Sequence, residues 1–141
     1  MWPKPEKAAA NAAQSIFLAA YARITAMTTL NPTDAVTEYT ARVFLKQISA
    51  QYDVAGAVLF GSRARGDFRQ DSDADLAVLL RGQKKEPLPV ARQMARTAFD
   101  IMLDTGVLVQ ALPIWLEDWE HPEQSSNPVL LQNIRREGIA L

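Results

Sequence analysis

Two apolar runs joined by a short polar link constrain this chain more than any other feature. The first, Val54 to Phe60, ends at Gly61-Ser62. Ten residues separate Ser62 from Asp73-Ala74-Asp75, which opens a second apolar run ending at Leu80. Each run has the length of a strand, and the first has the valine and aromatic content of a buried one. A link this short suits antiparallel neighbours, because a parallel pair needs a crossover of a dozen or more residues. Within the link, Ser62 to Arg65 is expected to make a short helical turn closed by Gly66. Residues 67–72 are expected to be a polar loop, and Asp73 to Leu80 the second strand.

The rest of the chain reads as what builds and covers these strands. Residues 6–27 are alanine-rich with good helix propensity. We expect residues 1–30 to be a helical extension loosely held on a domain spanning 31–141. Met27 before Thr28-Thr29-Leu30-Asn31-Pro32 also reads as an internal start. Asn31-Pro32-Thr33-Asp34 opens a helix to about Gln51. There Val36, Tyr39, Val43, Phe44 and Ile48 share a face that covers a sheet. Residues 88–104 form a helix burying Val90, Met94, Ala98, Ile101 and Met102, capped by Gly106. Val107 to Ile114 is a third strand, and Pro113 puts it at an edge. Trp115 to Glu120 is a helical turn. A last helix runs from Asn127-Pro128 to Glu137 and stops at Gly138.

Composition excludes several function classes. At 141 residues the chain is one domain by length, and 48% apolar with 22% charged is ordinary for a globular protein. A net charge of −1 gives no global field for nucleic acid or an acidic membrane. The absence of cysteine removes disulfides and thiolate metal sites, and one histidine argues against a histidine zinc site. No apolar run reaches the roughly 18 residues that span a bilayer. Asn11, Gln14 and Ser15 interrupt the run that resembles a signal peptide, so a cytoplasmic protein is expected.

Chemistry concentrates where the two runs meet. Successive side chains of a strand point to opposite faces, so Asp73 and Asp75 share one. Two carboxylates held together repel unless a cation lies between them, and Mg²⁺ often binds through one or two carboxylates plus substrate phosphates. Gly61-Ser62 follows a strand and opens a helical turn, where backbone approaches a phosphate closely. Arg63 and Arg65 beside it are candidate phosphate contacts. Each part alone has a plain explanation: a turn, a solvated strand entry, surface charge. Jointly, in this order, they describe a phosphate site facing a metal site, the layout of phosphoryl or nucleotidyl transfer. Elsewhere, Lys84 and Lys85 read as an exposed loop and His121 as a surface residue. Trp115 and Trp119, four apart, read as one helix face packed in the core; an adenine-stacking platform or a partner patch is the alternative.

Gly61-Ser62, ten residues, then Asp73-Ala74-Asp75 resembles the signature of the polymerase-β-like nucleotidyltransferase superfamily. Gly-Ser-Arg-Ala-Arg-Gly-Asp is similar to the minimal nucleotidyltransferases, small proteins often acting as the antitoxin beside a HEPN-type toxin. The resemblance implies an α/β (α+β) fold, a short mixed sheet with helices packed on it. It implies ATP as substrate, Mg²⁺ as cofactor, and transfer of AMP to a hydroxyl, in some antitoxins a tyrosine of the toxin. By position, Gly61 and Ser62 would contact the triphosphate, and Asp73 and Asp75 would be the catalytic, metal-holding acids.

The resemblance also implies a third carboxylate on the following strand, completing the metal site and helping to deprotonate the acceptor. Here that strand carries Gln110, which cannot act as a base near neutral pH. Asp104 precedes it, and Glu117 and Asp118 follow it. Two readings stay open: a Mg²⁺-dependent nucleotidyltransferase acting on a partner protein, and an antitoxin that works by binding, with a vestigial site. A third, transfer to a small molecule or RNA, is weakened because one short domain offers few acceptor walls unless it forms a homo-oligomer.

Overall fold

The computed structural model describes residues 34–141, so the helix expected over 6–27 and the extension over 1–30 lie outside the described residues. Helix α1 (Ala35–Ile48) leads into strand β1 (Val54–Phe60), the short helix α2 (Ser62–Arg65) and strand β2 (Ala74–Leu80). Helix α3 (Pro87–Thr105), strand β3 (Val109–Trp115), helix α4 (Leu116–Glu120) and a 3₁₀ turn (Pro122–Gln124) follow. Helix α5 (Pro128–Glu137) and strand β4 (Ile139–Ala140) end the chain. The strands form one mixed sheet in the order β3-β2-β1-β4. β1 pairs antiparallel with β2 and β4, as the short link requires, whereas β2 and β3 run parallel across the α3 crossover.

Alternation along β2 sorts its side chains between two cores. Leu76, Val78 and Leu80 join Ala57, Leu59 and Val109 on the face covered by α1 and α3. Phe44 and Ile48 of α1 and Met94, Ala98 and Ile101 of α3 complete this core. Ala77 and Leu79 face the other way, with Val58 and Ile114, under Leu131 and Ile134 of α5. A sheet buried on both faces explains why the two runs read as near-continuous apolar stretches.

Differences from the sequence reading have local causes. β2 begins at Ala74, so Asp73 is the exposed residue just before the strand. β3 is shifted toward the C-terminus, to Val109–Trp115. Trp115 is therefore the last strand residue, not a helical one. It is buried in the α1/α3 core, whereas Trp119 of α4 packs against the opposite core. The shared helix face expected of the two tryptophans does not exist. β4 was not foreseen, because two residues carry no periodic pattern. Pro113 does sit in an edge strand. The Leu108 carbonyl accepts from the Ala74 N–H of β2 (2.8 Å). Backbone groups alternate sides along a strand, so those of residue 113 face outward, where a missing N–H costs no ladder bond.

Among the described residues no helix is long and apolar enough to cross a membrane. Gly138 is the tightest joint between α5 and the sheet. A Cβ there would clash with the Val58 side chain and the Ile134 carbonyl, and would lie 3.2 Å from the Leu59 carbonyl oxygen. Gly138→Ala should therefore cost about 1–3 kcal/mol through overpacking. Thermal denaturation checks this: the melting temperature should fall by several degrees, and an unchanged value would show that α5 can shift freely on β1.

Candidate active site

Register brings the two halves of the sequence feature into contact. Phe60 pairs with Asp75, so the residue after Phe60 lies beside the Asp75 side chain. That residue is Gly61, with φ of +74°, a region that favours glycine. A Cβ at Gly61 would overlap Asp75 Oδ2 and lie 3.2 Å from Cγ. Only glycine fits, on both steric and conformational grounds. The Gly61 carbonyl accepts from the Ala64 and Arg65 N–H groups (both 3.1 Å), which turns the chain at once into α2.

Asp75 is half-buried and Asp73 is exposed. Burial raises the Asp75 pKa from 3.8, the Asp73 charge raises it further, and Arg65 opposes both. Asp75 therefore carries a charge its surroundings do not balance, a feature of sites that bind cations or perform catalysis. Across the parallel pair, Asp75 is in register with Gln110. An exposed amide thus stands next to Asp75 on the same sheet face. Asp104 ends up on α3 before the turn into β3, and Glu117 and Asp118 on α4 beyond its end. None of the three takes the register position opposite Asp75. Among the described residues no group of three or more histidines and acids is placed to hold a metal ion. The donor set here is Asp73 and Asp75 alone, which fits an ion that completes its shell with substrate phosphates and water.

The two arginines separate sharply. Arg65 is exposed, 3.3 Å from Asp67 and 3.9 Å from Glu137, and its field reaches Asp75. It remains available to an anion at the site. Arg63 is only 3% exposed. Its guanidinium donates to the Ser72 carbonyl (2.7 Å), the Gln70 carbonyl (3.0 Å) and Thr37 Oγ1 (2.7 Å), and lies over the Phe68 ring. Thr37 in turn donates to Asp34, which caps α1. The expected phosphate contact by Arg63 is corrected on this ground: its donors are spent inside the protein. Arg63 instead staples the 67–72 loop that leads to Asp73. Sequence reasoning missed this because Arg63 and Arg65 look alike in the motif; only burial distinguishes them.

Beyond Gln110, on the same sheet face, a cleft of about 710 Å³ opens between β3 and α5. Leu112, Ile114, Leu130 and Leu131 line it, and Lys84 and Asp118 close one side through an ion pair of 2.8 Å. Lys84, expected in a free loop, is thus tied to α4, and the pair raises its pKa.

A family model described as Polymerase beta, Nucleotidyltransferase matches residues 44–141. Among solved structures, a Sulfolobus solfataricus protein provisionally named a nucleotidyltransferase is similar at 17% identity, with a TM-score of 0.42. The match covers 72% of this chain and 76% of that one. No curated protein matches.

Replacing Arg63 by Met should cost about 1–3 kcal/mol, because it removes three hydrogen bonds that hold the loop to α1 and α2. Hydrogen exchange should then speed up over residues 67–73; a variant with wild-type stability and exchange would refute the staple. Asp75 gives a pH signature in metal-free protein. Its folded pKa lies above the unfolded one, so its ionisation destabilises the fold as pH rises through the folded value. Asp75→Asn should melt at a higher temperature than wild type near neutral pH. That advantage should shrink as pH falls toward 3.8. A pH-independent difference would contradict the shift.

Proposed function

This chain belongs to the polymerase β nucleotidyltransferase family, and from that premise we propose a Mg²⁺-dependent enzyme that transfers AMP from ATP to a hydroxyl on a partner protein. The carrying observation is the contact of Gly61 with Asp75, which sets the turn for phosphate against the carboxylates for metal. Gly61-Ser62 and the exposed Arg65 would receive the triphosphate. Asp73 and Asp75 would hold Mg²⁺, which when bound supplies charge neutralisation for the transferring phosphoryl group. The acceptor oxygen forms a bond to the α-phosphorus, the bond from that phosphorus to the bridging oxygen breaks, and pyrophosphate leaves. The acceptor proton passes to solvent, because the Gln110 amide beside Asp75 cannot take it. The partner that best fits the motif wording is a HEPN-type toxin, with the reaction in the cytoplasm.

A second reading rests on Gln110 itself. An amide in register with Asp75 suits a protein that binds nucleotide and neutralises its partner by contact, with little turnover.

α-Labelled ATP, Mg²⁺ and a HEPN-type partner protein separate the two. Transfer to the partner should be slow in wild type and lost in the Asp73→Asn, Asp75→Asn double variant. Gln110→Asp should raise it by about a hundredfold, the low end of general-base effects. If the double variant labels the partner as well as wild type, the enzyme reading fails. If wild type never labels it and the double variant still neutralises fully, the binding reading stands.

A further inference from the structure

Helix α3 carries a surface that no other described residue covers. Three of the four large apolar side chains exposed among the described residues lie on it: Leu88 at 57%, Phe99 at 54% and Leu103 at 68% exposure. With Ala95 they fall within roughly 80° of the helix circumference. The buried face, Val90, Met94, Ala98 and Ile101, lies elsewhere on the helix. Two adjacent rows at four-residue spacing cross this exposed face. One is apolar: Ala95, Phe99, Leu103. The other is charged: Arg92, Arg96, Asp100, Asp104. Such rows are the ridges by which helices pack.

The order of charge in the second row selects an occupant. Its two basic residues come first and its two acidic residues last, and none forms an ion pair among the described residues. A second copy of the same helix, laid antiparallel, sets Arg96 against Asp100 and Arg92 against Asp104. The same register brings Phe99 of one copy within two residues, about 3 Å along the axis, of the small Ala95 of the other. A two-fold interface must be complementary to itself, residue i meeting j and j meeting i, and this row meets that condition. An unrelated acidic or basic helix would match only half of it. We propose that α3 is the two-fold interface of a homodimer, joined through its exposed Leu88, Ala95, Phe99 and Leu103 face with Arg96–Asp100 pairs across the axis. The proposal is independent of the nucleotidyl-transfer reading, because α3 meets the sheet on the face opposite to Asp75.

Sedimentation velocity of the full chain over a micromolar concentration series tests it. Wild type should sediment as a dimer. Phe99→Glu should give a monomer with an unchanged melting curve at low concentration, since the side chain is exposed. Arg96→Asp alone and Asp100→Arg alone each place like charges together, and should weaken self-association by more than about tenfold. The double variant Arg96→Asp, Asp100→Arg should restore it. A monomeric wild type, including one whose residues 1–33 cover α3, overturns the proposal. So does a dimer indifferent to Phe99→Glu and to both single charge reversals.

Discussion

A buried guanidinium holds the site together. Arg63 lies at the centre of four pieces of chain that have no other reason to meet: the start of α1, the turn of α2, the 67–72 loop and the entry to β2. Its hydrogen bonds to the Ser72 and Gln70 carbonyls and the Thr37 hydroxyl tie these pieces to one buried side chain. Because Thr37 is also bonded to Asp34, the charge of Arg63 is balanced through a side chain rather than by direct contact, with Asp34 at 3.8 Å. No buried side-chain polar atom among the described residues lacks a partner. A charge this deeply placed is tolerated only in such a network.

With that loop held, the rest of the site follows from sheet register. Phe60 opposite Asp75 puts Gly61 against the carboxylate; Gln110 in register with Asp75 puts an amide beside it. Both are consequences of pairing, set by the two apolar faces that β2 must bury at once. Slipping β2 by one residue would exchange those faces and move Asp75 into the α1/α3 core. The hydrophobic pattern that folds the sheet is therefore also what aims the carboxylate. The cost is visible in the raised pKa of Asp75, an unbalanced charge kept beside a half-open face.

The surface divides by function. One sheet face carries Asp75, Gln110 and the cleft beneath α5. On the other side α1 and α3 seal the larger core, and the outer face of α3 presents apolar and charged rows that no described residue covers. Pro113 and the shortness of β4 blunt the two edges of the sheet, so strand addition is disfavoured there. Helix packing is left as the main route to association, well away from the site.

Much was legible in the sequence because it is local. The two runs, the glycine-serine turn, the four buried positions of α3 and the α5 cap at Asn127 depend on period, propensity and capping over a few residues. The amide at Gln110 was equally readable, since its place in the third strand rests on alternation, whereas Asp73 lies just before β2 and not on its face. What only the tertiary structure decided is non-local. Arg63 and Arg65 are identical in type and two apart, yet one is buried by a loop nine residues on and the other is not. Trp115 and Trp119 fall in opposite cores because a strand ends between them. β4 exists only because β1 has a free edge to pair with. Sequence determined which chemical groups this protein possesses and their order along the chain. Folding decided which of them are spent on structure and which remain for a substrate, because burial and register are set by residues distant in sequence.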